Sequence, residues 1–121
     1  MKLLLCTNGM AHTNHALTVG QKLALRIAQA VDILVVDEKA GSGDSRLIDA
    51  ATKAAEAAGH ELQAADIPVT LHHQTGQMAS SVVQQAQDVQ YDLVVVGSRG
   101  RSGIIRLLFG SVAKEVAAHV E

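Results

Sequence analysis

Residues 94–116 decide the fold, and they read VVVGSRGRSGIIRLLFGSVAKEV. The apolar run that leads into this stretch ends at Gly97 and is typical of a buried strand. Gly100 follows closely, and Gly110 with Ser111 comes after nine further residues. Glycines after a strand allow a sharp turn and a close approach of backbone to a ligand. Because Ser111 is a preferred helix cap and a helix start binds anions, the stretch predicts two backbone walls around one anionic ligand.

The charges in this stretch favour a small anion over a polymer. Arg99, Arg101 and Arg106 lie here, whereas the whole chain has a formal net charge of −2 and is only 2% aromatic. It therefore lacks both the positive field and the stacking platforms of a nucleic-acid binder. Taken singly, each glycine, serine or arginine is explained by an ordinary turn, cap or solvated surface. Their combination at one place in the fold favours a binding site.

The rest of the chain alternates apolar runs with segments of helical periodicity. Strands are predicted over residues 3–7, 31–36, 67–73 and 91–97. The connecting helices are predicted to begin at Thr13 or Asn14, at Asp44 or Ser45, and after Gly76. A last helix is predicted over 111–120. The second helix is predicted to stop at Gly59, and the following HELQAAD either extends it or forms a connector. With 48% hydrophobic residues, this order predicts an α/β fold, an open, doubly wound parallel sheet of the Rossmann-like class.

Length and composition limit the class of protein. The 121 residues suffice for one domain, predicted over 1–121. The single cysteine, Cys6, lies in an apolar run, which predicts a buried thiol and favours a reducing compartment. No apolar run approaches the roughly 18 residues of a membrane span, and the start MKLLLC lacks the apolar core of a signal peptide. We therefore expect a cytoplasmic protein without membrane insertion.

Open parallel sheets bind ligands beyond the carboxyl ends of their strands, where the strand order reverses. The loop of Thr7, Asn8 and Gly9 follows the first strand, and residues 97–100 follow the fourth. If these two strands are neighbours, both loops face one crevice. Neither the P-loop motif nor the dinucleotide glycine motif occurs, and the histidines form no persuasive metal-ligand pattern.

At these residues the chain resembles the universal stress protein family, in its ATP-binding subgroup. The signature of that subgroup, G-x-x-G, nine residues, then G-[ST], is matched by Gly97, Gly100, Gly110 and Ser111. The resemblance covers nearly the whole chain. It implies strand order 3-2-1-4-5, ATP bound at the switch point and a homodimer.

The resemblance also implies which residues meet the nucleotide. Those expected around the triphosphate and ribose are Gly97, Arg99, Gly100, Gly110, Ser111 and Val112. Those expected at the adenosine are Thr7, Asn8 and Gly9, with the backbone of Val36 or Asp37 bordering the adenine. Any Mg²⁺ or Mn²⁺ would be coordinated by the ATP phosphates. The motif offers no general base, which favours holding ATP, with at most slow hydrolysis, over a catalytic role.

Two departures from the family pattern stand out. The family commonly has Asp after the first strand, where this chain has Asn8, which carries no charge. The apolar run of a fifth strand, which often builds the family's dimer, is missing after Glu121. We then expect the fourth strand to expose an unpaired edge, with IIRLLF serving as a packing bridge between the two glycine pairs.

Two other functions remain open from the sequence. One is an enzyme of related architecture that cleaves ATP between the α and β phosphates. Such enzymes have an S-G-G-x-D-S-like loop after the first strand, where this chain has TNGMAHT. The other is a nucleotide-binding regulatory domain cut from a longer transporter or sensor kinase. The regulatory partner and the physiological signal are not encoded in any motif that we recognise.

Overall fold

A computed structural model describes residues 1–97 and, for the backbone alone, residues 105–109. Its strands are β1 (Lys2–Thr7), β2 (Ala30–Asp37), β3 (Val69–Thr75), β4 (Leu93–Gly97) and β5 (Ile105–Phe109). Its helices are α1 (Ala11–Ile27), α2 (Arg46–Ala64) and α3 (Met78–Asp88). The helix predicted over 111–120 lies outside the described residues. No helix within the described ranges has the length and apolar character needed to cross a membrane.

The sheet has the order β3-β2-β1-β4-β5, and β1 to β4 run parallel. The predicted doubly wound sheet is confirmed, with β1 and β4 as neighbours. The strand order reverses there, because β2 and β3 extend from β1 on one side and β4 lies on the other. Pro68, near the start of the predicted third strand, predicts an edge strand, and β3 lies at the edge of the sheet.

The expectation of an unpaired edge on β4 is wrong. Residues 105–109 form β5, which pairs antiparallel with β4 from Leu93↔Phe109 to Gly97↔Ile105. A parallel neighbour needs a crossover of about a dozen residues or more, which residues 98–104 are too few to supply. A strand that follows so closely therefore pairs antiparallel. Within the predicted packing bridge IIRLLF, residues 105–109 form this strand.

The sheet separates two apolar layers. Leu3 and Leu5 face α1 and α2, whereas Leu4 and Cys6 face α3, because successive side chains of a strand point to opposite faces. All four are completely buried. Burial raises the pKa of the Cys6 thiol, so the predicted buried and unreactive cysteine is confirmed.

Two helices differ in extent from the prediction. Helix α1 begins at Ala11 rather than at Thr13 or Asn14, because the Thr13 hydroxyl accepts a hydrogen bond from the backbone N–H of Asn8 and does not cap the helix. Helix α2 continues through Gly59 to Ala64, so the segment HELQA extends it. Gly59 keeps a helical conformation and does not end the helix.

The two mid-helix glycines, Gly20 and Gly59, have different surroundings. A Cβ atom on Gly20 would lie 2.7 Å from Leu5 Cδ2 and 3.1 Å from Val95 Cγ1, so this glycine lets α1 pack closely on β1 and β4. A Cβ atom on Gly59 would lie 3.6 Å from Val69 Cγ1, an ordinary contact distance.

We expect opposite effects from alanine at these two positions. Alanine favours a helix interior over glycine by about 1 kcal/mol, so Gly59→Ala should raise the free energy of unfolding by up to about 1 kcal/mol. Gly20→Ala should lower it by about 1–2 kcal/mol, because overpacking a core costs more than the helix gains. Urea denaturation measures both variants. Equal stabilisation by the two substitutions would contradict the packing assigned to Gly20.

Candidate functional site

The carboxyl ends of β1, β2 and β4 meet at one edge of the sheet. Six of the predicted site residues belong to these strand ends or to the loop after β1: Thr7, Asn8, Gly9, Val36, Asp37 and Gly97. The other five, Arg99, Gly100, Gly110, Ser111 and Val112, lie outside the described residues. The described part of the candidate site is therefore the edge formed by β1, β2 and the end of β4.

Gly97 lies in close contact with the first turn of α1 at this edge. A Cβ atom on Gly97 would lie 2.6 Å from the carbonyl oxygen of His12 and 3.0 Å from Thr13 Cα. These are backbone atoms, which cannot move aside as a side chain can. A glycine is required here because the first turn of α1 approaches the end of β4, whatever ligand lies beyond.

Gly9 has a similar role on the other side of β1. Its φ of +91° favours glycine, and a Cβ atom would lie 1.9 Å from the carbonyl oxygen of Leu47. The loop after β1 thus lies directly against the first turn of α2. Both glycines of this edge permit backbone to pack on backbone.

The polar groups of the loop after β1 are buried and hydrogen-bonded. The Thr7 side chain is completely buried, and its hydroxyl lies 2.5 Å from Asn14 Oδ1 and 3.1 Å from the Thr13 hydroxyl. The same hydroxyl accepts the Gly9 N–H at 3.2 Å. These bonds connect the loop to the first turns of α1 and hold its backbone in one conformation.

Asn8 is only 3% exposed, and both ends of its side-chain amide have partners. Its Oδ1 accepts the Met10 N–H at 3.0 Å and the Thr13 hydroxyl at 2.7 Å. Its Nδ2 donates to Glu38 Oε1 at 2.6 Å. Since the acceptor end faces two donors and the donor end faces a carboxylate, the network fixes the orientation of the amide.

Glu38 is a site residue that the sequence prediction missed. Its second carboxylate oxygen accepts the Met78 N–H at 2.9 Å, at the start of α3. Gln77, at the N-cap of α3, makes no side-chain capping bond, and the first turn of α3 holds no acidic residue. Glu38 therefore supplies the cap and the favourable negative charge from another element. Its position directly after Asp37, at the end of β2, was the available signal.

Val36 and Asp37 end β2 in different environments. Val36 is completely buried in the layer that faces α3, so only its backbone is available for recognition. The Asp37 carboxylate accepts the Lys39 N–H at 3.1 Å, and its carbonyl oxygen accepts the Gly76 N–H at 3.1 Å. The carboxylates of Asp37 and Glu38 give this side of the edge a negative charge.

A second polar cluster lies toward the amino ends of the strands, away from this edge. The Tyr91 hydroxyl donates to Asp32 Oδ2 at 2.6 Å and accepts from Gln85 Nε2 at 2.8 Å. Burial, followed by the hydrogen bond to Asp32, raises the pKa of Tyr91. His72 Nε2 lies 3.1 Å from Asp32 Oδ2, and Lys2 Nζ lies 3.9 Å from the same oxygen. The cluster joins three strands to α3 around one buried carboxylate.

No group of three or more His, Cys, Asp or Glu side chains that could hold a metal ion occurs within residues 1–97. Asp37 and Glu38, the acidic pair at the carboxyl edge, bond backbone N–H groups and the Asn8 amide. This part of the candidate site therefore offers backbone groups, one amide and two carboxylates.

We expect Asn8→Asp to destabilise the protein. The substitution keeps the shape of the side chain but places a carboxylate oxygen against Glu38 Oε1, where Asn8 Nδ2 now donates at 2.6 Å. Loss of this charge-assisted bond and repulsion between two carboxylates should lower the free energy of unfolding at neutral pH by about 1–3 kcal/mol. Urea denaturation measures the change.

Glu38→Gln provides the matched control in the Asn8→Asp background. Its Nε2 can donate to the new carboxylate while its Oε1 still accepts the Met78 N–H, so most of the lost stability should return. An Asn8→Asp protein as stable as the wild type, or no recovery in the double variant, would contradict the contact assigned to this pair.

Solved structures share this fold at low sequence identity. Hypothetical protein MJ0577 aligns with a TM-score of 0.66 and 21% identity over 98% of this chain and 87% of its own. UspA from Lactobacillus plantarum aligns with a TM-score of 0.59 and 20% identity over 99% and 92%. A universal stress protein in complex with cAMP aligns with a TM-score of 0.59 and 17% identity over 80% and 72%. At such identities these likenesses describe the fold.

The family itself is shown by the sequence as a whole. No match was found among curated proteins. The profile of the universal stress protein family, however, matches residues 1–121, which is the entire sequence. The chain belongs to the universal stress protein family.

Proposed function

We propose that this protein binds an adenine nucleotide, ATP in the first place, at the carboxyl edge of its sheet and acts as a regulatory stress-response protein. The observation that carries the proposal is that the loop after β1 lies beside the end of β4, where the family's glycine signature begins at Gly97. Family membership and a neighbour solved with cAMP support a nucleotide as the ligand.

The charges of the edge suggest how the nucleotide is oriented. Asp37 and Glu38 place two carboxylates at the end of β2, where phosphates would be repelled. The uncharged adenosine fits this side, next to the loop of Thr7, Asn8 and Gly9 and to the backbone of Val36 or Asp37. The phosphates would lie on the β4 side, with Gly97, Arg99, Gly100, Gly110, Ser111 and Val112, and would carry any Mg²⁺ or Mn²⁺.

We propose that the protein holds ATP with at most slow hydrolysis. When bound, ATP would supply a charged phosphate chain whose recognition biases contacts with a regulatory partner. The loop after β1 keeps its polar groups engaged in bonds to α1 and Glu38, as shown by Thr7 and Asn8. An amide does not accept a proton from water and so cannot serve as the general base of hydrolysis.

The proposal also covers the domain organisation of the protein, its oligomeric state and its location in the cell. We propose one nucleotide-binding domain over residues 1–121, a homodimer and a cytoplasmic location. Because β5 covers the edge of β4, dimerisation through strand pairing would use the outer edge of β5 or of β3. Analytical ultracentrifugation with and without nucleotide tests the dimer.

Mass spectrometry of the nucleotide released from purified, denatured protein tests the function. We expect adenine nucleotide in the released fraction and saturable binding of Mg-ATP by calorimetry. cAMP is titrated as the competing ligand, and release of AMP with pyrophosphate is assayed to detect cleavage between the α and β phosphates. Absence of bound nucleotide together with no binding at millimolar ATP would refute the proposal.

Gly110→Leu tests the phosphate side of the proposed site. A bulky side chain at the start of the proposed last helix should block the approach of phosphate to the backbone N–H groups and reduce Mg-ATP affinity at least tenfold, about 1.4 kcal/mol. Ala57→Leu is the matched control, since it introduces the same side chain at an exposed position of α2. Equal affinities of Gly110→Leu and wild type would show that the phosphates bind elsewhere.

A further inference from the structure

We propose that Glu38 is an internal competitor of the nucleotide, which holds Asn8 in a closed arrangement and thereby lowers the affinity of the site. This inference rests on the proposed function, because it assigns a regulatory role to a residue of that same site. Its basis is the bridge that Glu38 forms between the loop after β1 and the start of α3.

The bridge uses both oxygens of one carboxylate. Oε1 accepts from Asn8 Nδ2 at 2.6 Å, and Oε2 accepts from the Met78 backbone N–H at 2.9 Å. Glu38 lies at the end of β2 and is itself exposed, so it can turn away into solvent without leaving a buried charge behind. The Glu38 carboxylate can therefore leave the contact into solvent, whereas its two partners belong to packed elements.

Asn8 has its acceptor oxygen fully engaged while this bridge is closed, and one of its two Nδ2 hydrogens is bound to Glu38. Its Oδ1 is engaged by Met10 and Thr13, and Glu38 accepts from its Nδ2 at a short distance. The remaining surface of the side chain is 3% exposed. A ligand that accepts the Nδ2 hydrogen directed toward the end of β2 must therefore displace the Glu38 carboxylate.

The other contacts of the loop stay in place when the bridge opens. The bonds from Met10 and Thr13 hold the acceptor end of Asn8, and the bond between Thr7 and Asn14 holds the preceding residue. Opening thus frees a single N–H donor that remains oriented toward the end of β2. The bridge regulates one donor and leaves the loop preorganised.

Glu38→Ala should therefore tighten Mg-ATP binding even though it removes the cap of α3 and lowers the stability of the fold. The wild type must break the hydrogen bond between Asn8 and Glu38 when it binds the nucleotide, and the variant has no such bond. The Kd of the variant should therefore be about threefold to tenfold lower than that of the wild type. Glu38→Gln keeps a weaker neutral bridge and should give an intermediate Kd. Calorimetric titration measures all three proteins.

Asp49→Asn is the control that distinguishes two causes of tighter binding, the release of Asn8 and the general loss of a negative charge. Asp49 is an exposed acidic residue in the first turn of α2, close in sequence to Leu47, which lies against Gly9. Its removal takes away one negative charge from the first turn of α2, the turn that contacts Gly9, and leaves the contacts of Asn8 intact, so the Kd should change less than twofold. An equal tightening by Asp49→Asn would overturn the competitor role.

The side-chain amide signal of Asn8 in ¹⁵N NMR provides a readout independent of affinity. In the wild type this signal should move on saturation with Mg-ATP, away from its Glu38-bound position and toward the position seen in the saturated Glu38→Ala protein. A wild-type signal that stays in place under saturation, or a Kd for Glu38→Ala that is unchanged or higher, would overturn the inference.

The inference and the proposed function fail in different ways. If neither wild type nor Glu38→Ala binds Mg-ATP, the proposed function is refuted and the competitor role falls with it. If the wild type binds and Glu38→Ala binds no more tightly, the nucleotide site stands and Glu38 is only a structural cap of α3.

Discussion

Close contact between backbone segments at the carboxyl edge of the sheet is the constraint on which the rest of the structure depends. Gly97 lies against the His12 carbonyl, and Gly9 lies against the Leu47 carbonyl, both at distances that leave no room for a Cβ atom. The starts of α1 and α2 can therefore approach the strand ends directly. The resulting edge brings backbone segments together, which suits recognition of a ligand by N–H and C=O groups.

The polar groups at the amino ends of the strands differ in their surroundings from those at the carboxyl ends. At the amino side, Asp32 is buried among Tyr91, His72 and Lys2, and its charge stabilises the junction of three strands with α3. At the carboxyl side, Glu38 is exposed and joins elements that could separate. The Asp32 carboxylate is thus enclosed by several partners, whereas the exposed Glu38 carboxylate can turn toward solvent.

The strands, helices and edge position of β3 could be predicted because they depend on local patterns, namely apolar runs, helical periodicity and Pro68. The remaining features depend on contacts between residues that are distant in sequence or outside any local motif. The Thr13 hydroxyl turns toward Asn8, which moves the start of α1 to Ala11. Glu38 contacts residues 30 and 40 positions away, which no local motif reveals. The residues at 105–109 form a strand only because β4 offers a free edge.

The glycine at the end of β4 has a structural role that does not depend on a ligand. The family signature indicates Gly97 as a turn beside phosphate, and the structure gives it an independent reason, the approach of α1. Its presence alone therefore says little about a ligand. The nucleotide proposal depends on the whole edge, where the loop after β1, the end of β2 and the start of the signature converge.

Titration of ¹⁵N-labelled protein with Mg-ATP, followed by backbone amide shifts, tests this account most directly. We expect saturable shifts at Thr7, Asn8, Gly9, Asp37 and Gly97, with little change at Lys2, Asp32 and Tyr91 near the amino ends of the strands. Shifts confined to the amino side, or a spectrum unchanged at millimolar Mg-ATP, would contradict the assignment of the carboxyl edge as the nucleotide site.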